Sequence, residues 1–249
     1  MNILDIKNYS LSFRMDTGIY KVLSDISLSI PEKSTVALVG ESGCGKSMTA
    51  MSVPQLLPTN SIINSGEILF EGKNLLNLNK KELQNIRGNK IALIPQDPMT
   101  SLNPLYTIGN QILEIINKDK SIEHKDAIKK TIDVLNIVKI PNAKDKLSMY
   151  PHEFSGGMKQ RAIIAMALAS DAKLIIADEP TTALDVTIQA QIMTILNEIK
   201  NKLGTSILLI SHELNMVGQY SDEINVMYSG RIVEKAGVHE FFNNTLHPY

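Results

Sequence analysis

The chain has one cysteine, Cys44, among 249 residues. A single thiol excludes an internal disulfide and suits a reducing compartment such as the cytoplasm. Net charge is nearly missing as well, −1 at neutral pH, so the electrostatics give no argument for nucleic acid as a partner. The longest apolar run, "AIIAMALA" at 162–169, is far short of the roughly 18 residues that span a bilayer. The opening "MNILDIKNYS" lacks the basic start and apolar stretch of a signal peptide, so none is expected. No internal repeat and no low-complexity linker is found. What is present is 43% hydrophobic and 20% charged residues, enough for a sizeable core in one large domain or a domain with a subdomain.

The first chemistry lies in "GESGCGKS", residues 40–47. Gly40, four further residues, Gly45, Lys46 and Ser47 match a phosphate-cradling P-loop. Glycines at 40, 43 and 45 let backbone N–H groups turn inward around an anion without a clashing Cβ. Lys46 has the reach for β- and γ-phosphates, and the Ser47 hydroxyl is a ligand for Mg²⁺. Upstream "STVALVG" reads as a strand, and downstream "SMTAMSVPQLL" begins as a helix whose N-terminus faces the phosphates. The candidate nucleotide contacts are Gly40, Glu41, Ser42, Gly43, Cys44, Gly45, Lys46, Ser47 and Met48. Cys44 itself reads as a small residue at a variable loop position.

Three regions follow from patterning. Residues 1–38 alternate polar and apolar, which predicts antiparallel strands with a turn near Asp16, Thr17 and Gly18, and "SGEILFEGKNL" at 65–75 adds a strand to that layer. From about 97 to 160 the pattern is helical, with breaks at Pro104, Pro141 and Pro151. Its lysines around 118–146 are mixed with acids and read as a solvated face. From 161 onward helix and strand alternate, which implies parallel strands between helices. The 11 methionines fall mostly at apolar positions and read as core.

"KLIIADEP", residues 173–180, runs four apolar residues into Asp178 and Glu179, at the strand end where α/β sheets bind ligands. Asp178 suits the Mg²⁺ that Ser47 also touches, and Glu179 suits activation of the water that attacks the γ-phosphate. Two acids there also suit the cap of the next helix, a reading that the neighbouring P-loop makes the weaker one. "FSGGMKQR" at 154–161 is a second anion site: Ser155, Gly156 and Gly157 start an almost wholly apolar helix about 110 residues from the first loop.

With both loops the chain resembles the ATP-binding-cassette (ABC) ATPases over essentially its whole length. GESGCGKS is similar to their Walker A motif, LIIADE to Walker B, FSGGMKQR to the signature loop and "TTALDVT" (181–187) to the D-loop. Gln96 in "IPQDP" matches the Q-loop glutamine, and His212 in "LISHEL" the switch histidine. Phe13 falls where the family places an aromatic on adenine, with Tyr9 and Tyr20 as competitors. The signature departs from the usual LSGGQ at Phe154 and Met158, with its Ser-Gly-Gly core intact.

The resemblance implies an α/β P-loop NTPase fold: a core over 1–96 and 161–249 with a parallel sheet and an N-terminal antiparallel layer. A helical subdomain at about 97–160 is inserted into it. It implies ATP and Mg²⁺ as cofactors, catalysis by Glu179, His212 and Gln96, and metal contacts from Ser47, Gln96 and Asp178. "PQDPMTSLNPLYTIGNQI" and the terminal "HPY" are similar to ATPase subunits of peptide and nickel importers. Such a subunit is peripheral on the cytoplasmic face of the cell membrane and pairs with a second ATPase subunit. It docks on two permease subunits, meets a substrate-binding protein only indirectly and binds no nucleic acid. The chain stops at Tyr249, where many peptide-type relatives continue, which leaves peptide against nickel open. A P-loop kinase or GTPase would leave FSGGMKQR and TTALD unexplained, and a non-transport ABC ATPase would need coiled coils or a second cassette.

Overall fold

The computed structural model describes residues 1–118, 121–182, 184–244 and 247. Of the stretches quoted above, Lys120, Ala183, Pro248 and Tyr249 lie outside the described residues. Two long strands, β1 (Asn2–Met15) and β2 (Gly18–Pro31), form a hairpin across Asp16 and Thr17. Next come β3 (Thr35–Val39), α1 (Lys46–Ser52), β4 (Ser61–Phe70), β5 (Lys73–Asn74), α2 (Lys80–Ile86) and β6 (Ile91–Ile94). The helical stretch holds α3 (Pro98–Ser101), α4 (Ile108–Ile116), α5 (His124–Ile137), α6 (Ala143–Lys146) and α7 (Gly156–Ala169). The chain finishes with β7 (Leu174–Asp178), α8 (Val186–Leu203), β8 (Ser206–Ser211), α9 (Leu214–Tyr220), β9 (Glu223–Tyr228), β10 (Arg231–Gly237) and α10 (Val238–Asn243).

These strands make two sheets. One is antiparallel in the order β2-β1-β4-β5; the other runs β10-β9-β3-β8-β7-β6, parallel except for the edge strand β10. Strand β3 sits inside the second sheet with every residue buried, and its period of two divides the core. Val36 and Leu38 face the antiparallel layer, joining Leu4, Ile26, Leu28 and Ile68. Ala37 and Val39 face the helices, joining Ala165 of α7 and Ile192 and Leu196 of α8. The loop after β3 is therefore anchored from both sides.

Two expectations change. Helix α7 runs through residue 160, because Ser155 caps its start and its apolar residues continue to Ala169; a subdomain edge at 160 would cut it. The methionines are not mainly core: Met193 and Met227 are buried, but Met1, Met15 and Met99 are exposed and the others are intermediate. Long unbranched side chains fill the margins of the core as readily as its centre.

Candidate active site

The C-terminal ends of β3, β7 and β8 lie side by side in the parallel sheet, and the residues after them form one site. Gly40 leaves β3 with φ 151°, and its backbone lies so near β9 that a Cβ would sit 2.2 Å from the Met227 carbonyl oxygen. Gly43, at φ 82°, is the reverse: nothing lies within 4 Å of where a Cβ would be, so this stretch of backbone faces open space. Lys46 is 5% exposed, and its Nζ donates to the carbonyl oxygens of Gly40 (2.7 Å) and Glu41 (2.9 Å). A buried ammonium held by two loop carbonyls and, at 3.9 Å, the Cys44 sulfur, beside an open backbone cradle, fits a polyanion such as a triphosphate. Cys44 is buried in the apolar cluster between the sheets, where Met48 also packs.

Asp178 ends β7 at 7% exposure and accepts from Ser47 Oγ at 3.1 Å. Burial holds its carboxyl above the usual carboxylate range; the Ser47 hydroxyl works against that rise, Glu179 adds to it and Lys46 opposes it. A carboxylate that burial disfavours is one that a cation stabilises. Ser47 and Asp178 together offer hard oxygen donors at the loop. Among the described residues no three His, Cys, Asp or Glu side chains gather as a metal cage. The pair fits Mg²⁺, which commonly takes one or two protein ligands and completes its shell with phosphate oxygens and water.

Glu179 adopts φ 46°, a left-handed conformation that costs a non-glycine residue about 1–3 kcal/mol. Its N–H donates to the Ile210 carbonyl at 3.0 Å, which fixes the turn. The side chain, 14% exposed, meets groups from two other strand ends. Its Oε2 accepts from Gln96 Nε2 at 3.0 Å and from Thr182 Oγ1 at 2.9 Å, and His212 Nδ1 lies 3.4 Å away. Gln96 follows β6 and His212 follows β8, so residues far apart in sequence converge on one carboxylate oxygen. Gln96 joins Glu179 here rather than the Ser47–Asp178 pair.

The second loop stands apart. Ser155 caps α7, its Oγ accepting from the Met158 N–H at 3.3 Å. A Cβ on Gly157 would meet Ile188 of α8 at 2.8 Å. A groove of about 430 Å³ is lined by Ser155, Gly156, Gly157, Arg161, Leu184 and Ile188, and by no residue of the first loop. Phe13 is half-buried in the cluster that holds Cys44, opposite Tyr20 on β2. Tyr9 is buried completely and is no platform for a ligand ring. Thr182 escapes sequence reasoning: its N–H donates to the Glu179 carbonyl at 3.2 Å, and that turn carries its hydroxyl back to the carboxylate. A hydroxyl three places after a strand-end acid is the one local signal for it.

A family model described as ABC transporter matches residues 23–182, from within β2 through the turn after Glu179. The chain belongs to the ABC transporter family. Relatives in this family include the oligopeptide transport ATP-binding protein OppD of Bacillus subtilis, 46% identical over 99% of this chain and 69% of that protein. OppD of Haemophilus influenzae is 47% identical over 99% of this chain and 76% of that protein. The dipeptide transport ATP-binding protein DppD of Lactococcus lactis is 46% identical over 99% and 71%. Among solved ABC structures, a dimeric post-hydrolysis cassette, MJ0796 bound to ADP and Pi, superposes with TM-score 0.84 at 25% identity, covering 94% of this chain and 98% of that one. The cassette cbiO1 of Clostridium perfringens, part of the cbiONQ transporter complex, gives TM-score 0.83 at 26% identity, covering 98% and 91%. This ABC chain is accordingly an ATPase, with ATP as its ligand.

Proposed function

We propose that this ABC ATPase powers import of oligopeptides or dipeptides, acting as a pair of subunits beneath two separate membrane permeases. The observation that carries the reading is near-full-length similarity, at 46–47% identity, to oligopeptide and dipeptide transport subunits. Those names favour peptide over nickel. Among the described residues no helix is long and apolar enough to cross a membrane. In this reading the chain is peripheral on the cytoplasmic face, the helices between about 97 and 160 meet the permease, and a substrate-binding protein is engaged only through the permeases.

Within the site, Lys46 and the backbone of residues 40–48 grip the phosphates, and Phe13 stacks on adenine. Ser47 and Asp178 would hold Mg²⁺, joined by Gln96 on leaving Glu179, and the ion would neutralise phosphate charge when bound. Glu179 takes the proton of the attacking water, supported by the hydrogen bonds from Thr182 and Gln96 that orient Oε2. His212 faces the γ-phosphate, supported by its approach to the same oxygen. Gln96 stands between Glu179 and the start of the helical segment, which suits a relay between hydrolysis and permease.

Ser155, Gly156 and Gly157 complete the site of a second subunit in this reading. Donors added to a transition state in this way are worth on the order of 3 kcal/mol, about a hundredfold in rate. Specific ATPase activity is measured against protein concentration. It is expected to rise as pairs form, and Ser155→Arg is expected to remove that rise while ATP affinity stays within about twofold. Full activity at every dilution, indifferent to Ser155, would reject the shared site. In vesicles with permeases and a binding protein, peptide is expected to stimulate hydrolysis; stimulation by nickel alone would reject the peptide assignment.

A further inference from the structure

Helix α8 begins just after the turn that carries Glu179 and Thr182, and α9 begins just after His212. The two helices pack together, with Thr194 Oγ1, midway along α8, and Tyr220 OH, at the end of α9, 3.4 Å apart. At the near end the link is Gln189, one turn into α8. Its Nε2 donates to the Thr181 carbonyl oxygen at 3.3 Å and to Glu213 Oε1 at 3.1 Å. Thr181 lies two residues beyond Glu179, and Glu213 adjoins His212. Both N–H groups of one amide thus meet acceptors on the two loops that carry the base and the histidine.

The surroundings make this a built contact. Asp185 caps α8, its Oδ1 accepting from the Ile188 N–H at 3.0 Å, so the helix end that carries Gln189 is fixed. Glu213 occupies the N-cap position of α9, where a short side-chain oxygen can accept from first-turn N–H groups. It makes no such cap here. Its N–H donates to Ser211 Oγ at 3.0 Å, and its carboxylate goes to Gln189.

Resting on the roles given above to Glu179 and His212, we propose that Gln189 is a positioning residue. It holds the Glu179 turn and the His212 loop in one register, so that both address the same γ-phosphate. The backbone joins the two only at their base, where the Glu179 N–H donates to the Ile210 carbonyl two residues before His212, and a shift of about 1 Å between reacting groups costs up to a hundredfold in rate.

Gln189→Leu removes both donors at similar size. In the full chain, at a concentration where pairs form, kcat is expected to fall about tenfold with KM for ATP within about twofold. Gln189→Glu sets two carboxylates against each other and should fall further. Adding Glu213→Gln to it restores the link between positions 189 and 213 but not the one to Thr181, and is expected to recover about threefold in kcat. A Gln189→Leu kcat within twofold of the parent, an equal loss of ATP affinity, or no recovery in the double variant would overturn the proposal. Glu179→Gln serves as the control on the reading beneath. If it alone abolishes turnover while the Gln189 variants stay at parent rate, only the positioning role fails. If it too hydrolyses at parent rate, the assignment of Glu179 fails.

Discussion

The glycine loop at 40–47 and the one at 155–157 both lead into helices, yet their surroundings differ. Around the first, the chain supplies a buried lysine on the loop carbonyls, a serine bonded to a buried aspartate, and, next to that aspartate in the chain, the Glu179 cluster. Around the second it supplies little chemistry: the Ser155 hydroxyl caps its own helix, and the nearest walls are Leu184 and Ile188. The first loop draws its lysine, its acids and its glutamine from its own chain. The other has Arg161 and Asp185 along its groove, the aspartate engaged in capping α8, and no residue of the first loop, as a surface made for someone else's phosphate would.

The largest expected effect tests that contrast directly. Lys46→Ala leaves the first loop without its buried cation, and ATP affinity measured with a fluorescent analogue should fall on the order of a hundredfold. The same titration on Ser155→Arg should scarcely move. Equal losses would mean the two loops share one nucleotide within a chain.

A smaller effect concerns folding. At Gly40 a Cβ would lie 2.2 Å from the Met227 carbonyl oxygen at φ 151°, so Gly40→Ala should cost about 3 kcal/mol or more in chemical denaturation. At Gly156 the nearest atom to a Cβ is Leu184 Cδ2 at 3.7 Å, and Gly156→Ala should change stability by less than about 1 kcal/mol. Similar costs at the two sites would show the second loop to be as tightly built as the first.

The smallest effect is in pH. Glu71 joins Lys90 and Lys173, tying the β4–β5 hairpin to the starts of β6 and β7, and the Lys173 and Lys90 partners hold its carboxyl below the usual range. The stabilisation exists above the ordinary carboxylate pKa and is lost as pH falls through the lowered folded value. Glu71→Gln should therefore lower the urea midpoint slightly at pH 7, and the difference should close in acid. On the helical side, Glu198 between Lys139 and Lys202 is lowered by those two lysines and should follow the same course. A difference that widened in acid would contradict both assignments.

Much of the first loop is legible in sequence because its constraint is local: glycine spacing answers to backbone sterics within eight residues. The β1–β2 hairpin is legible for a similar reason, since alternation and a two-residue turn set its pairing from Ser12 to Met15, though not the register shifts farther along. Asp178 declares itself by ending an apolar run. Gln189 and Glu213 do not, because their meeting depends on how α8 lies on α9, and neither helix states this in its own periodicity. Residue 160 reads as a boundary from composition, whereas helix capping, set by Ser155, decides where α7 begins. Tyr9, Phe13 and Tyr20 look alike in an alternating strand until burial separates Tyr9 from the other two.

On the proposed division, the separation of Lys46 from Ser155 turns into a rule of inheritance. A Lys46→Ala chain still lends a sound signature loop, and a Ser155→Arg chain still lends a sound phosphate grip. Where the pair is built from two copies of this chain, these inactive parents together assemble one working site, and the two alleles complement in trans. Placed on one chain beside a normal partner, the same two changes spoil both sites of the mixed pair. The double allele is then dominant over the normal one, although neither single change is.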